Sequence, residues 1–393
     1  MPGTSAGDLL KLIKSGQART RGELQRVTGL SRSTVGTRLD RLLRGGYLRE
    51  TGVNESSGGR PSIRLEFNDE HGVVLVAALG AGDAHLAVLD LAGRTLAEER
   101  ADPRIADGPA AVLDWIGDRH DALLTVAGRR PDEVRGIGLG VPGPVDFATG
   151  RVRQPPIMPG WDDYPIVEHQ RRRYPVPVLV DNDANLMALG EQVAVHPDCP
   201  ALVLVKVATG IGAGVVVDGT VYRGIDGGAG DLGHIRMHGY DTFRCMCGSY
   251  GCLAAVASGG ALAQQLTVAG TPTASSREFL DRVTAGDPDA RRLARTAGQR
   301  VGEVLATVVC LLNPGVLVIA GDLAETHFVA GVRELLYQRA LPRATQRLTV
   351  TTSRLGERAG IVGAHAMVIG NVYAPEAVNR QLSEASAAPG RRR

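Results

Sequence analysis

Four residues in the second half of the chain have the types and spacing of a metal site. His234 precedes Cys245, Cys247 and Cys252, a Cys-x-Cys pair followed after four residues by a third cysteine. Three thiolates and one imidazole fill a tetrahedral Zn²⁺ shell with no open position, the ligand set of a structural metal. Gly248 and Gly251 let the connecting loop bend back on itself. The competing account is four buried side chains and no ion. Cys199 and Cys310 stand apart from this cluster and read as ordinary buried thiols.

Two further stretches can carry chemistry. Asp181-Asn182-Asp183-Ala184-Asn185 falls where a β-rich run (Val178–Val180) gives way to a helical one. Ligands of open α/β sheets gather at such carboxyl ends of strands. A carboxylate there can take a proton from a substrate hydroxyl while a neighbouring amide binds adjacent hydroxyls. An Asp-Asn-Asp run is, however, more often a helix cap. The glycine-rich Thr209-Gly210-Ile211-Gly212-Ala213-Gly214 offers backbone amides to a phosphate, yet a plain glycine hairpin turn explains it better.

The elements that must position these residues alternate in type. Val73–Leu79, Leu86–Leu91, Val134–Gly140 and Val178–Val180 read as strands, and Val112–Ala127 as a helix. That alternation predicts an α/β body. Ala201–Val207 and Gly214–Val217, joined across a glycine turn, repeat the earlier strand–glycine–strand device and hint at a duplicated lobe.

The first 68 residues differ in kind. They hold twelve basic and six acidic residues (net +6), which leaves 32 basic and 36 acidic residues (net −4) in the remainder of a 393-residue chain whose total is only +2. A basic head on an acidic body points to a polyanion met by the head alone. Asp8–Ser15 carries a helical stripe of Leu9, Leu10, Leu12 and Ile13. Thr20, with Glu23 three residues on, can cap a second helix, and Gly29 makes the turn after it. Ser31 caps a third, whose Val35, Leu39, Leu42 and Leu43 share one face. Ser33, Thr34, Thr37, Arg41 and Arg44 are thereby turned outward, with Arg32 and Arg38 on the flanks. Helix, glycine turn, then a helix with hydroxyls and arginines outward is a helix-turn-helix signature. Its DNA-facing residues are expected to be Arg32, Ser33, Thr34, Thr37, Arg38 and Arg41. Tyr47–Glu50 and Ser62–Phe67 read as the strands of a wing, with Arg60 at a tip able to enter a minor groove or simply to stay solvated.

Composition removes other classes. With 44% apolar and 22% charged residues the chain is not globally disordered. Its most apolar stretches, Ala201–Val217 and Val304–Gly321, are broken by Lys206, by glycines and by Asn313-Pro314, short of the run of about 18 apolar residues that a membrane span needs. The N-terminus is polar, so a cytoplasmic location is expected.

Taken together, these stretches resemble the ROK family of repressors and sugar kinases. The residues that carry the resemblance are Gly233-His234 followed by Cys245-Met246-Cys247-Gly248-Ser249-Tyr250-Gly251-Cys252, with Pro142-Gly143-Pro144-Val145-Asp146, Asp181–Asn185, Ala208–Gly214 and Ala229–His234. Gly58-Gly59-Arg60-Pro61 looks like the wing of the family's repressor branch. The resemblance implies a winged helix-turn-helix (residues 1–68) before a two-lobed hexokinase/actin-like (ASKHA) α/β body. Residues 72–184 and 359–383 would form the small lobe, 185–358 the large lobe with its structural zinc, and 384–393 a disordered tail. It further implies an effector seat at Gly143, Asn182, Asp183, Asp231 and His234, and zinc ligation by His234, Cys245, Cys247 and Cys252. Implied partners are a double-stranded DNA operator, a sugar or sugar-phosphate effector, and a second copy or more of the chain, as a homodimer or tetramer.

Departures from the kinase pattern are as informative. The first phosphate loop of the kinases, Asp-x-Gly-x-Thr, falls on Ala78-Leu79-Gly80-Ala81-Gly82, without its carboxylate or hydroxyl. The sugar-binding Glu after the last cysteine is Ala254, the Glu of the Ala-Gly-Glu motif is Asp231, and the Asn before Pro-Gly-Trp is Ile157. Asp183, the position of the catalytic base, remains. The expectation is a non-enzymatic transcriptional regulator of sugar-related genes, acting as a repressor. The alternative is an active ATP-dependent sugar kinase with a regulatory DNA-binding head.

Overall fold

The computed structural model describes residues 5–54 and 62–387. The head consists of α1 (Ala6–Lys14), α2 (Arg21–Thr28), α3 (Arg32–Arg44) and an antiparallel wing, β1 (Leu48–Asn54) with β2 (Ser62–Phe67). Its boundaries follow from side-chain caps. Ser5 and Asp8 form a reciprocal capping box, Thr20 accepts from the Glu23 amide and Ser31 from the Thr34 amide. Gly29, at φ 70°, supplies the left-handed turn between α2 and α3. Leu9, Leu10, Leu24, Val35, Leu39, Leu42 and Leu65 close the head's core. The expected wing tip at Arg60, with residues 55–61 around it, lies outside the described residues.

The body begins with β3 (Val73–Leu79), β4 (Ala84–Asp90), β5 (Thr95–Ala101), α4 (Pro109–Val126), β6 (Val134–Val141), a small hairpin of β7 (Val145–Asp146) and β8 (Arg151–Val152), α5 (Ile166–Arg171) and β9 (Val178–Asn182). After α6 (Asp183–Val195) come β10 (Ala201–Val207), β11 (Ile211–Val217), β12 (Thr220–Val221), α7 (Leu253–Ala257), α8 (Gly259–Val268), α9 (Ser276–Ala285), α10 (Pro288–Leu312), β13 (Val316–Ala320), α11 (Thr326–Arg339), α12 (Pro342–Thr345) and β14 (Thr349–Thr352). Two helices finish the chain, α13 (Ala359–Val372) and α14 (Pro375–Ala387).

The strand orders are β5-β4-β3-β6-β9 and β12-β11-β10-β13-β14. In chain order both are third–second–first–fourth–fifth, with the first two pairings antiparallel and the last two parallel. The strand–glycine–strand echo in the sequence therefore marks two lobes of one topology. Period-two burial builds the layers. Val74 and Val76 of β3 and Leu202 and Leu204 of β10 face a central core shared with α6 and α13. Their neighbours face outward, Val73 and Leu75 toward α4, and Val203 and Val205 toward α10 and α11. Strands covered on both faces read as unbroken apolar runs, as these do.

Two boundaries differ from the sequence expectation. The break expected between residues 184 and 185 falls inside the first turn of α6, a helix that packs against both sheets. The stretch 359–383 does not belong wholly to the small lobe: α13 does, but α14 docks on α1 of the head. Asn379 Oδ1 accepts from the Gly7 amide at 3.0 Å, and Tyr47 donates its hydroxyl to Gln381 Oε1 at 2.6 Å. Lys14 places its ammonium over the rings of Phe67 and Tyr373, 5.5 and 5.9 Å from their centroids, and burial lowers its pKa to about 8. α14 runs through Ala387, four residues into the tail expected to be disordered; the rest of that tail, 388–393, lies outside the described residues. Amphipathic spacing of Ala377, Val378 and Leu382 against the head accounts for the extra helix. Among the described residues no helix is long and apolar enough to cross a membrane.

Candidate functional site

In the head, α3 presents Arg32, Ser33 and Thr37 to solvent, with Thr34, Arg38 and Arg41 half-buried. Ser31, Ser33 and Thr34 share hydroxyl contacts of 2.8–2.9 Å at the helix start, so the cap itself orders the edge that a nucleic acid would meet. Arg38 is less free than its flank position suggested: its Nη1 is shut from solvent without a partner.

The metal cluster assembles as the spacing required. A loop carries Leu232–His234 against β11, where a Cβ at Gly233 would overlap the Ile211 carbonyl oxygen. Bridges Arg236–Cys252 and Arg244–Tyr250 fold the cysteine loop back beside it. The ligand atoms of His234, Cys245, Cys247 and Cys252 all lie within 4.8 Å of one another and could hold a metal ion. His234 turns Nδ1 to Cys245 Sγ at 3.7 Å, and the Sγ atoms of Cys247 and Cys252 are 3.8 Å apart. Burial and the neighbouring thiols push the Cys252 thiol up to about 12, so without a compensating cation the thiolate cluster is disfavoured. Of the two remaining cysteines, Cys199 is half-buried and donates to the Ala201 carbonyl, but Cys310 is exposed, contrary to expectation. It sits on the outer face of α10, so the general tendency of free cysteines toward burial does not hold for it.

Of the expected effector residues, Gly143, Asn182 and Asp183 meet where β9 runs into α6. Asn182 caps α6 with its Oδ1, accepting from Ala184 and Asn185, and donates Nδ2 to the Gly143 carbonyl at 3.0 Å. Its capping role, the plainer of the two sequence readings, is therefore real. Asp183 is fully engaged as well: Oδ1 accepts from the Ala184 amide at 2.8 Å and Oδ2 from Lys206 Nζ at 2.6 Å. Asp231 lies in the loop just before His234, and burial raises its pKa while His234 pulls it down. Ala208–Gly210 is the β10–β11 hairpin turn, with Val207 paired to Ile211 and Gly212 already in β11. Ile157 packs against the small-lobe core and Ala254 against the large-lobe core, so both replacements are absorbed as apolar contacts.

Two cations were missed in the sequence. Lys206, noted there only as a break in an apolar run, pairs with Asp183 across the lobes. Arg223, after β12, reaches Asp181 with Nε and Nη2 at 2.9 and 2.6 Å and stacks over Phe147 at 3.7 Å. Asp181 is 1% exposed, and the Arg223 pair, the Asn185 side-chain amide and the Asn182 backbone amide make such burial tolerable. The available signal was a lone lysine inside an otherwise apolar, doubly covered strand.

The ROK family model matches residues 75–371. The chain is a member of the ROK family. A xylose repressor of Caldicellulosiruptor bescii is 29% identical over 381 residues, covering 93% of this chain and 95% of the repressor. A solved ROK transcriptional regulator, a homologue of the Escherichia coli Mlc protein, superposes with a TM-score of 0.81 at 28% identity, over 96% of this chain and 98% of that one. The ROK hexokinase of Thermus thermophilus matches with a TM-score of 0.62 at 32% identity, covering 99% of itself but 78% of this chain. A whole ROK kinase thus leaves about a head's length of this chain unmatched, whereas the ROK regulator matches nearly all of it. The winged head and the actin-like two-lobed body belong to that regulator architecture.

Proposed function

We propose that this ROK protein is a transcriptional repressor of sugar-related genes, whose cleft senses a sugar-like effector and does not phosphorylate it. One observation carries the reading: a winged helix-turn-helix head is joined to a kinase-like cleft in which the base position, Asp183, is held in a 2.6 Å ion pair with Lys206. The ammonium competes with a sugar hydroxyl for Asp183 Oδ2. Ala78 also leaves the first phosphate loop without a carboxylate, and phosphoryl transfer depends on such positioned charge. The xylose repressor and the Mlc homologue among its relatives support a DNA operator and a sugar effector.

In this reading Arg32, Ser33, Thr34, Thr37, Arg38 and Arg41 meet double-stranded DNA in the major groove, with Arg60 at the wing tip. A homodimer reads an inverted repeat matching its own two-fold axis. Gly143, Asn182, Asp183, Asp231 and His234 form the effector seat. Zinc fits the cysteine cluster: a tetrahedral site with Zn–S of about 2.3 Å has sulfur–sulfur edges of about 3.8 Å, the separation of Cys247 and Cys252. The ion would be structural, held through His234 Nδ1, which leaves Nε2 for the effector. The protein works in the cytoplasm.

The test is selection of genomic fragments by the purified full-length protein, then mobility shifts against a panel of hexoses, pentoses and their phosphates. Release of a selected fragment by one sugar, with no ATP turnover on any, is expected. Arg41→Ala should lower the salt slope of binding by about one. Steady ATP turnover with a sugar would instead establish the kinase alternative, and failure to select any DNA would overturn the repressor.

A further inference from the structure

Lys206 lies in the middle of the large-lobe sheet, paired with Gly212 on one side and Ala320 on the other. Its side chain, 23% exposed, leaves that sheet and reaches the small lobe's Asp183, 14% exposed, at 2.6 Å. Two further carboxylates, from other elements, act on the same ammonium at longer range; among the described residues Asp183 alone pairs with it at ion-pair distance. Asp83 closes the β3–β4 turn, its carbonyl accepting from the Gly80 amide at 2.8 Å and its carboxylate folded over Gly80. Asp322 follows two residues after Ala320, the register partner of Lys206. Burial works to lower the Lys206 pKa, but Asp183, Asp83 and Asp322 outweigh it and hold it above the ordinary lysine value. Burial and the nearby Asp322, Asp183 and Glu357 raise Asp83, and Lys206 alone among its named neighbours lowers it.

Carboxylates from three elements, one in contact with Lys206 and two farther off, repel one another unless a cation offsets their charge. An ordinary solution is a bound metal ion with oxygen ligands. Here the chain supplies the charge itself. We propose that Lys206 is a tethered counter-ion: its ammonium fills the cation position of the interlobe cleft, ties β10 to the start of α6 through Asp183, and lets the lobes close with neither a metal ion nor a nucleotide bound. A lysine suits this role because its ammonium is a compact point charge with three donors. Closure without a ligand is then a property of the chain alone, and an effector reaching Asp183 competes with it.

The experiment removes the cation and offers a replacement. In full-length Lys206→Met, isosteric but neutral, Asp183 loses its partner and the charges of Asp83, Asp183 and Asp322 are left without the offsetting cation. The expected results are a lowered thermal midpoint, a larger radius of gyration in solution scattering, and recovery of both on adding millimolar Mg²⁺ or Ca²⁺. Mn²⁺ should bind this variant, by electron paramagnetic resonance, and not the wild type. Lys206→Arg should behave as wild type, and adding Asp183→Asn to Lys206→Met should weaken Mn²⁺ binding at least tenfold. Should Lys206→Met fail to fold, Asp183→Asn in the presence of Lys206 still tests the tie, since it must enlarge the radius of gyration. The proposal is overturned if Lys206→Met keeps the wild-type dimensions without a divalent ion, if it gains no ion dependence, if Asp183→Asn leaves the dimensions unchanged, or if wild-type protein itself takes Mn²⁺ at this point.

Discussion

Alanine at position 7 should separate the DNA-binding head from the body while touching no DNA-facing residue. Gly7 lies in the first turn of α1, where Gly→Ala ordinarily gains about 0.5–1 kcal/mol of helix stability. Here the added Cβ would overlap the Pro375 carbonyl oxygen and lie 2.5 Å from its Cα and 2.7 Å from its carbonyl carbon. These are backbone atoms at the start of α14 and cannot rotate aside. Overpacking of this kind costs about 1–3 kcal/mol, and moving α14 also weakens the Gly7–Asn379 and Tyr47–Gln381 hydrogen bonds, each contributing about 1 kcal/mol. The balance is a loss of about 1–3 kcal/mol, concentrated at the joint. Gly22, exposed in α2 with nothing within 4 Å of a built Cβ, is the internal control: the same substitution there should stabilise by about 0.5–1 kcal/mol. Hydrogen exchange along α1 and α14 reads the joint directly, and operator titration with and without effector reads its consequence. Gly7→Ala should lose protection in both helices and blunt the effector response. Unchanged protection with full response, or a stabilised Gly7→Ala, would refute the joint.

Two further outcomes follow from the same structure. Cys247→Ser should abolish the bound metal by elemental analysis and remove the effector response while DNA binding by the head persists; metal-free wild-type protein would contradict the ligand assignment. His120, fully buried in α4, points Nε2 at the Val76 carbonyl at 3.0 Å, and burial lowers its pKa to about 4. Its folded pKa lies below the unfolded 6.5, so the unfolded chain binds the extra proton and stability is lost as pH falls from about 6.5 toward 4, by about 3 kcal/mol in all. Urea melts of His120→Phe should lack that part of the slope, and an equal slope in both proteins would exclude the residue.

The sequence made the two-lobe body, the capped head helices and the metal cluster legible because each rests on local chemistry: period-two apolar runs, Ser and Thr caps, and cysteine spacing. Asp183 was found for the same reason, at a strand–helix junction. Its partner was not. Lys206 stands 23 residues away, and only strand register brings it across the lobes to Asp183. Arg223 is 42 residues from Asp181 and was equally silent. The role of α14 escaped for a different cause. Its apolar face is ordinary for any helix, and nothing local says that it covers the first helix of the chain. Cys310 shows the opposite error, a residue type read as burial at a position whose own side chain faces out.

These missed contacts form one mechanical series. Asp183 opens α6, and α6 packs so closely on α13 that Gly190 lies against Ala359 and Gly363 against Leu186. Helices in such contact shift as a unit, because neither can slide without steric overlap. α13 continues through Tyr373 into α14, whose Asn379 and Gln381 hold the head. Tyr373 itself meets Phe67 of the wing edge-on at 5.2 Å and Tyr47 at 6.1 Å. A ligand that alters the Lys206–Asp183 tie therefore acts on the first residue of a packed path that ends at α1 and the base of the wing. Asp183 in this chain is better understood as the cleft end of that path than as an idle base. If so, Asp183→Asn should change operator affinity even with no sugar present, whereas an idle base would leave it unaltered.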